Sequence, residues 1–272
     1  MHGSGLSATS ALDRAEASVR ELAEQYEPPT FDHVPDPDAA IFLCAVDHKT
    51  GYADAHEVDG EGPWSGSELM WLLGLKAAAE HPGLLTARHL RYTSAGDVAE
   101  WFRAGSEPIA GPERRAFLWR DLAAGLERDY GGSAAGILDA AGGALGGQGG
   151  LLERLAVYSA YDDPLAKKAF LFAKIAERRG WFAVSDPETW QVSADNVLMR
   201  LALRSGLVAE GPLDQVRTAT RAALKKLAGR AEMSPPVLDD MLWELGRDDP
   251  DLLGKDAGEL SEPPRDPTSA WY

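Results

Sequence analysis

The chain has 272 residues, of which 44% are hydrophobic and 26% charged, and its formal net charge at pH 7 is −16. Such a composition is typical of a soluble globular protein with one large domain or two small ones. The acidic charge disfavours broad, non-specific DNA binding but is compatible with a small phosphorylated ligand. No apolar run approaches the roughly 20 residues of a membrane span. The N-terminus also lacks the apolar core of a signal peptide, so we expect a cytoplasmic protein with no membrane partner.

Apolar residues recur at spacings of three and four along most of the chain, which predicts an all-α fold. The predicted helices span residues 10–26, 66–80, 95–104, 112–129, 133–141, 150–158, 164–179, 194–205, 212–228 and 235–246. The apolar run AIFLCAVD (40–47) has no period that separates a strand from a buried helix. Its Cys44 is the only cysteine of the chain, so an internal disulfide is excluded and a buried thiol is expected.

Several residues are typical of helix ends. Ser94 can cap the helix that follows it, and Pro112 and Pro164 suit a first helical turn. Gly180 and Gly206 suit helix C-termini.

The glycine run AAGGALGGQGG (140–150) indicates a flexible connection between two helical subdomains. We therefore expect an N-terminal arm and helix at 1–30 and a helical domain at 31–247, with a cleft between subdomains 31–145 and 150–247. An extended acidic tail would follow at 248–272, pinned to the surface by Trp271 and Tyr272.

Lys168 shares a helix face with Leu165, Phe172 and Ile175, and so points toward an apolar layer. A partly desolvated lysine has a lowered pKa and can act as a nucleophile. The alternative is that its stem lies along the core while its ammonium group reaches water. The other cations of this helix are expected to form a solvated stripe: Lys167, Lys174 and Arg178.

Asp195 lies where the next predicted helix begins. It can cap that helix, or it can point into a cleft if Ser193 supplies the cap. A carboxylate in a cleft can stabilise an oxocarbenium-like sugar or activate a water molecule.

Asp239 and Trp243 are spaced i, i+4 and are therefore neighbours on one helix face. The indole could stack on a flat base while the carboxylate accepts a hydrogen bond from its edge. The alternative is an amphipathic helix with a half-buried tryptophan.

The segment 46–64 is rich in turn-forming and polar residues. The spacing of His48 and His56 matches no standard metal motif, so we expect no metal there. Asp47 or His48 could contact a ligand, or the segment could be a plain surface hairpin.

Trp64, Ser67 and Trp71 lie near a predicted helix N-terminus, where backbone amides could hold a phosphate. The alternative is that Ser65 or Ser67 caps the helix and Trp71 lies in the core. Farther along, three arginines are expected on a solvated basic face: Arg114, Arg115 and Arg120.

Three segments, in this order, resemble the helix-hairpin-helix N-glycosylase superfamily: KAFLFAKI with Lys168, SADNVLMRLALRSGLV with Asp195, and LDDMLW with Asp239 and Trp243. They are similar to the archaeal GO DNA glycosylase/lyase for 8-oxoguanine. The resemblance to the queuosine salvage protein family, an all-helical glycosylase of queuosine 5′-phosphate, covers roughly residues 40–247. It includes VDGEGPWSGSELMWLLGLKAAAE, LLTARHLRYTSAGDVAEWFR and LERDYGGSAAGILDAAGG. The chain departs from the salvage family's pattern at VDHKTGY and at NVLMR.

This resemblance implies a two-subdomain helical bundle of the helix-hairpin-helix glycosylase type. It also implies an N-glycoside hydrolase that releases a purine-like or 7-deazapurine base from a nucleotide or nucleoside. Asp195 would stabilise the sugar cation or activate water, and Lys168 would hold the phosphate or tune the carboxylate. The remaining substrate contacts would come from Asp239, Trp243, Asp47, His48, Trp64, Ser67 and Lys167. No cofactor is expected.

Two alternatives stay open. A DNA glycosylase and abasic-site lyase would act on oxidised guanine through a Schiff base at Lys168, although the acidic charge disfavours a nucleic-acid substrate. A non-catalytic nucleotide-binding protein would keep the scaffold without the chemistry.

Overall fold

The computed structural model describes residues 8–255, 262–266 and 269–271. Within them the fold is all-α, with twelve α-helices and one two-stranded hairpin. No helix in this part of the chain is both long and apolar enough to cross a membrane. Most of the predicted N-terminal arm (1–7), part of the predicted tail, and Tyr272 lie outside the described residues.

The elements follow one another in this order: α1 (Ala8–Ala23), α2 (Pro37–Val46), β1 (His56–Val58), β2 (Glu61–Trp64), α3 (Gly66–Glu80), α4 (Ala87–Leu90), α5 (Ala95–Trp101), α6 (Pro112–Asp129), α7 (Ala134–Ala141), α8 (Leu151–Leu155), α9 (Lys167–Arg178), α10 (Asn196–Arg204), α11 (Leu213–Arg230) and α12 (Pro235–Asp248). The chain divides into two compact units. Unit 1 comprises residues up to 29 together with 190–269, and unit 2 comprises residues 30–189 together with 270–272. The glycine run 140–150 therefore lies within unit 2, and α1 belongs with α10–α12.

Helix α2 is the central element of unit 2. Every residue from Ala39 to Val46 is buried, and the helix packs against α3, α6, α7 and α9. A helix that is apolar all round must be enclosed by others, which settles the run 40–47 as a buried helix. Asp36 caps it by accepting a hydrogen bond from the Ala39 amide at 2.8 Å.

Most of the expected helix ends are confirmed. Ser94 forms a capping box with Asp97, and Pro112 opens α6. Gly180 and Gly206 follow their helices with positive φ angles.

The prediction that the Lys168 helix starts at Pro164 was wrong, because α9 begins at Lys167. The carboxylate of Asp163 accepts hydrogen bonds from the amides of Leu165 and Lys167 at 3.0 and 3.1 Å. It therefore pairs with the amide of Lys167, the first residue of the helix, which would otherwise need an N-cap side chain. Leu165 accordingly lies before the helix and not on its apolar face.

Of the segment 46–64, for which a surface hairpin was one of two expectations, only residues 56–64 form a hairpin, and Asp47 and His48 are buried. Strands β1 and β2 pair antiparallel, with His56 opposite Trp64. The hairpin is tied to α3, since Lys76 donates to the Asp59 carboxylate. In the tail, Trp271 donates to Asp162 at 2.7 Å.

Unit 1 is built on one hydrophobic cluster that α1, α10, α11 and α12 share. Its larger members are Leu12, Val19, Val192, Leu198, Leu201, Leu224, Leu227, Leu238, Met241 and Leu242. Helices α10 and α12 pack closely where Gly246 faces Leu201. A β-carbon at position 246 would lie only 2.6 Å from the Leu201 side chain.

Two helical glycines should respond oppositely to alanine. A β-carbon at Gly125 in α6 would lie 2.0 Å from the buried ring of Tyr158, whereas nothing lies within 4 Å of one at Gly229 in α11. We expect Gly229→Ala to raise the free energy of unfolding by about 0.5–1 kcal/mol. Gly125→Ala should lower it by about 1–3 kcal/mol through overpacking. Denaturant unfolding measures both, and a Gly125→Ala protein as stable as the parent would contradict the packing described here.

Candidate functional site

The amine of Lys168 lies inside unit 2, at the C-terminal end of α2. Its side chain is 1% exposed. The amine donates a hydrogen bond to the carbonyl oxygen of Ala45 at 2.7 Å, and it lies within hydrogen-bond distance, 3.1 Å, of Nδ1 of His48. The two partners of this lysine therefore lie 123 and 120 positions before it in the sequence.

The surroundings of Lys168 favour a neutral amine. Burial lowers its pKa well below the ordinary lysine value, and the neighbouring Lys167 and Arg115 lower it further, while Asp47 opposes them. Burial is also the main cause that lowers the pKa of His48. Among the described residues the amine has two hydrogen-bond partners, the Ala45 carbonyl oxygen and Nδ1 of His48, so the three N–H groups of an ammonium could not all be satisfied.

Asp47 lies at the end of α2 beside this pair, and α3 holds its carboxylate in place. The Ser67 hydroxyl donates to Oδ1, and the Trp71 indole donates to Oδ2 at 3.3 Å. Ser67 is therefore not the helix cap, since Ser65 occupies the cap position without a side-chain hydrogen bond. Trp71 is only half-buried. Both donors are neutral, so the carboxylate keeps its orientation without forming an ion pair with them.

Arg115 completes the cluster, contrary to the expectation that it belongs to a solvated face. It is 1% exposed, and its guanidinium donates to the carbonyl oxygens of Ala110 and His48, and to that of Lys49 at 3.3 Å. Burial lowers its pKa to about 10. The spacing i, i+4 places Arg115 on the same face of α6 as Trp119, and this signal in the sequence could have identified it.

The other residues predicted for a basic stripe or a site in unit 2 differ in how deeply they are buried. Lys174 is buried, so the prediction that it is solvated was wrong, whereas Lys167 is half-buried. Trp64 ends β2, and its buried indole N–H has no hydrogen-bond partner in the part of unit 2 that is described.

Unit 1 holds the remaining predicted residues. Asp195 is the cap of α10, since its Oδ1 accepts from the Leu198 amide at 3.0 Å, and the alternative that Ser193 caps this helix was wrong. The Ser193 amide instead donates to Asp239 Oδ1 at 2.7 Å. Trp243 is half-buried, and the guanidinium of Arg247 lies 4.5 Å from its ring centroid. Trp243 also packs against the hydrophobic cluster of unit 1.

The two histidines considered as metal ligands have other partners. Nδ1 of His48 lies 3.1 Å from the Lys168 amine, and Nε2 of His56 lies 3.2 Å from the Glu107 carboxylate. Across the described ranges, no group of three or more His, Cys, Asp or Glu side chains could hold a metal ion.

No protein-family model matches this chain, and no curated protein matches it either. The chemistry of the Asp47–His48–Lys168 cluster therefore carries the functional inference.

The protonation of Lys168 can be tested through stability. The unfolded chain binds a proton at this lysine up to the ordinary lysine pKa of 10.5, whereas burial lowers that pKa well below this value in the folded protein. The contribution of the neutral amine to stability therefore increases as pH rises toward that value, by up to about 1.4 kcal/mol per pH unit.

We expect the free energy of unfolding of the parent, minus that of Lys168→Met, to increase between pH 7 and pH 10. Other titrating groups cancel in this difference. Urea unfolding at several pH values gives the numbers, and a flat difference would mean that Lys168 carries its charge in the folded state.

Proposed function

We propose that this chain is an N-glycosidase that releases a purine-like or 7-deazapurine base from a nucleotide. The observation that carries the proposal is the buried amine of Lys168, held between Ala45 and His48 beside an oriented carboxylate. Perturbed pKa values that arise from burial and specific charged neighbours are typical of functional sites.

Cleavage of an N-glycosidic bond builds positive charge on the sugar, and a water molecule must lose a proton as it attacks. In the proposed mechanism the lone pair of the neutral Lys168 amine takes that proton. The carboxylate of Asp47 stabilises the sugar cation. His48 keeps the amine oriented, because its Nδ1 accepts one of the two N–H groups.

Two further features support a nucleotide as the substrate. The half-buried Lys167 adjoins Lys168 and offers a cation to a phosphate. The unpartnered indole N–H of Trp64 is a donor that a base or sugar oxygen could satisfy. A buried donor without a partner costs free energy until a ligand pairs with it.

A second function is favoured by the same neutral amine. In an abasic-site lyase, the Lys168 nitrogen attacks the C1′ aldehyde of an open deoxyribose, water leaves, and an imine forms. Loss of the C2′ proton then expels the 3′ phosphate. Borohydride reduces the imine to a stable amine, so it traps the protein on abasic DNA only if this chemistry occurs.

Base release is the first test. We expect the parent protein to free a base from at least one purine or 7-deazapurine 5′-phosphate, and Lys168→Met to lose at least about a hundredfold of that rate, as for removal of a general base. Lys174→Met is the matched control because Lys174 is a second buried lysine of α9. Chromatography of the free base measures the rates; equal loss in both variants would refute the role of Lys168.

Asp195 offers a separate test of the resemblance to glycosylases. Asparagine caps a helix about as well as aspartate, so Asp195→Asn should leave the melting temperature nearly unchanged while removing the charge. The resemblance predicts that base release is then abolished. Full activity in a folded Asp195→Asn protein would leave this carboxylate as a cap only.

A further inference from the structure

Arg115 is a buried cation whose hydrogen-bond partners are all neutral. Its guanidinium donates to three backbone carbonyl oxygens, those of Ala110, His48 and Lys49. Its Nε is buried and has no partner among the described residues. Burying a charge without a directly paired carboxylate costs free energy. Satisfying the carbonyl groups at a helix end does not by itself require a buried charge, because a neutral donor can also pair with a carbonyl oxygen.

The carbonyl groups that Arg115 binds belong to the turn that carries His48. This turn follows α2 and runs through Lys49 and Gly51, whose φ angles are +33° and +82°. A left-handed conformation at a lysine is unfavourable unless its surroundings impose it. One guanidinium nitrogen, Nη2, donates to the carbonyl oxygens of both His48 and Lys49, while Nη1 donates to that of Ala110, and these bonds fix the backbone from which the imidazole projects.

We propose that Arg115 is a positioning residue that fixes the turn carrying His48, and with it the imidazole, against the Lys168 amine. It acts in two ways. Its hydrogen bonds hold the turn that carries His48, and its positive charge disfavours a second cation nearby. This inference rests on the proposed function only in that both concern the Lys168 amine.

The charged and titratable groups that face Lys168 come from three helices. They are Lys167 on α9, Cys44, Asp47 and His48 on α2 and the turn after it, and Arg115 on α6. Lys167 and Arg115 disfavour the ammonium form, while Asp47 and Cys44 favour it. Removing the cation on α6 therefore changes the balance in one direction, toward protonation.

The test follows the titration of Lys168 in the full chain. Lysines are labelled with ¹³C and ¹⁵N, and the Lys168 signal is assigned by its loss in Lys168→Met. Titration midpoints are then compared among the parent, Arg115→Gln, which removes the charge, and Arg115→Lys, which keeps the charge but loses the fork. Arg120→Gln is the matched control, since Arg120 is exposed on the same helix and donates to the Thr93 carbonyl oxygen.

We expect the midpoint to rise in Arg115→Gln, to rise less in Arg115→Lys and to stay at the parent value in Arg120→Gln. Each unit of rise lowers the neutral fraction tenfold at a pH below the midpoint. A folded Arg115→Gln protein with the parent midpoint overturns the inference. If that variant does not fold, Arg115→Lys decides by the same criterion, and failure of both to fold assigns Arg115 a structural role only.

The titration does not depend on turnover. A raised midpoint in a protein that releases no base supports the positioning role and contradicts the proposed function. Base release together with an unchanged midpoint supports the proposed function and contradicts the positioning role.

Discussion

The buried end of α2 is the constraint on which the candidate site depends. Carbonyl groups at the end of a helix lack partners within the helix, and burial denies them water. The amides of Asp47 and His48 donate to the carbonyl oxygens of Cys44 and Val46. Two basic side chains supply further donors, Lys168 at Ala45 and Arg115 at the turn after the helix. The backbone carbonyl groups at this helix end are thus paired with two buried basic side chains, Lys168 and Arg115.

This arrangement has an electrostatic consequence. Placing two cations in a small buried volume costs free energy. The nearby carboxylate of Asp47 accepts hydrogen bonds from neutral donors of α3. The guanidinium keeps its proton because its pKa falls only to about 10. Burial and the neighbouring cations lower the pKa of Lys168 well below its ordinary value, and burial lowers that of His48 as well. Two nitrogen bases whose neutral forms are favoured therefore lie near an oriented carboxylate, and acid–base or nucleophilic chemistry needs such groups.

The sequence predicted much of the fold because helical periodicity and cap residues are local signals. The boundaries of α3 and α6 and the capping box at Ser94 follow from residues within one or two turns. Helix α2 was ambiguous, since an apolar run buried on every side has no period. The start of α9 was misplaced because the Asp163 side chain, which lies before the helix, satisfies its first amides.

The site could be predicted only as separate residues. Asp47, His48, Ser67 and Lys168 were each named from local patterns, but hydrogen bonds across 120 positions leave no local signal. Arg115 was predicted to be solvent-exposed because charged side chains usually are. It is buried instead, on the same helix face as Trp119. The Ala45 carbonyl oxygen has no signature at all, because every residue carries one.

The number of protons on the Lys168 nitrogen tests the account most directly. Neutron diffraction from a perdeuterated crystal at neutral pH locates them. The account predicts two deuterons on Nζ, one directed at the Ala45 carbonyl oxygen and one at Nδ1 of His48, with the imidazole deuteron on Nε2. Three deuterons on Nζ would show an ammonium group and contradict it.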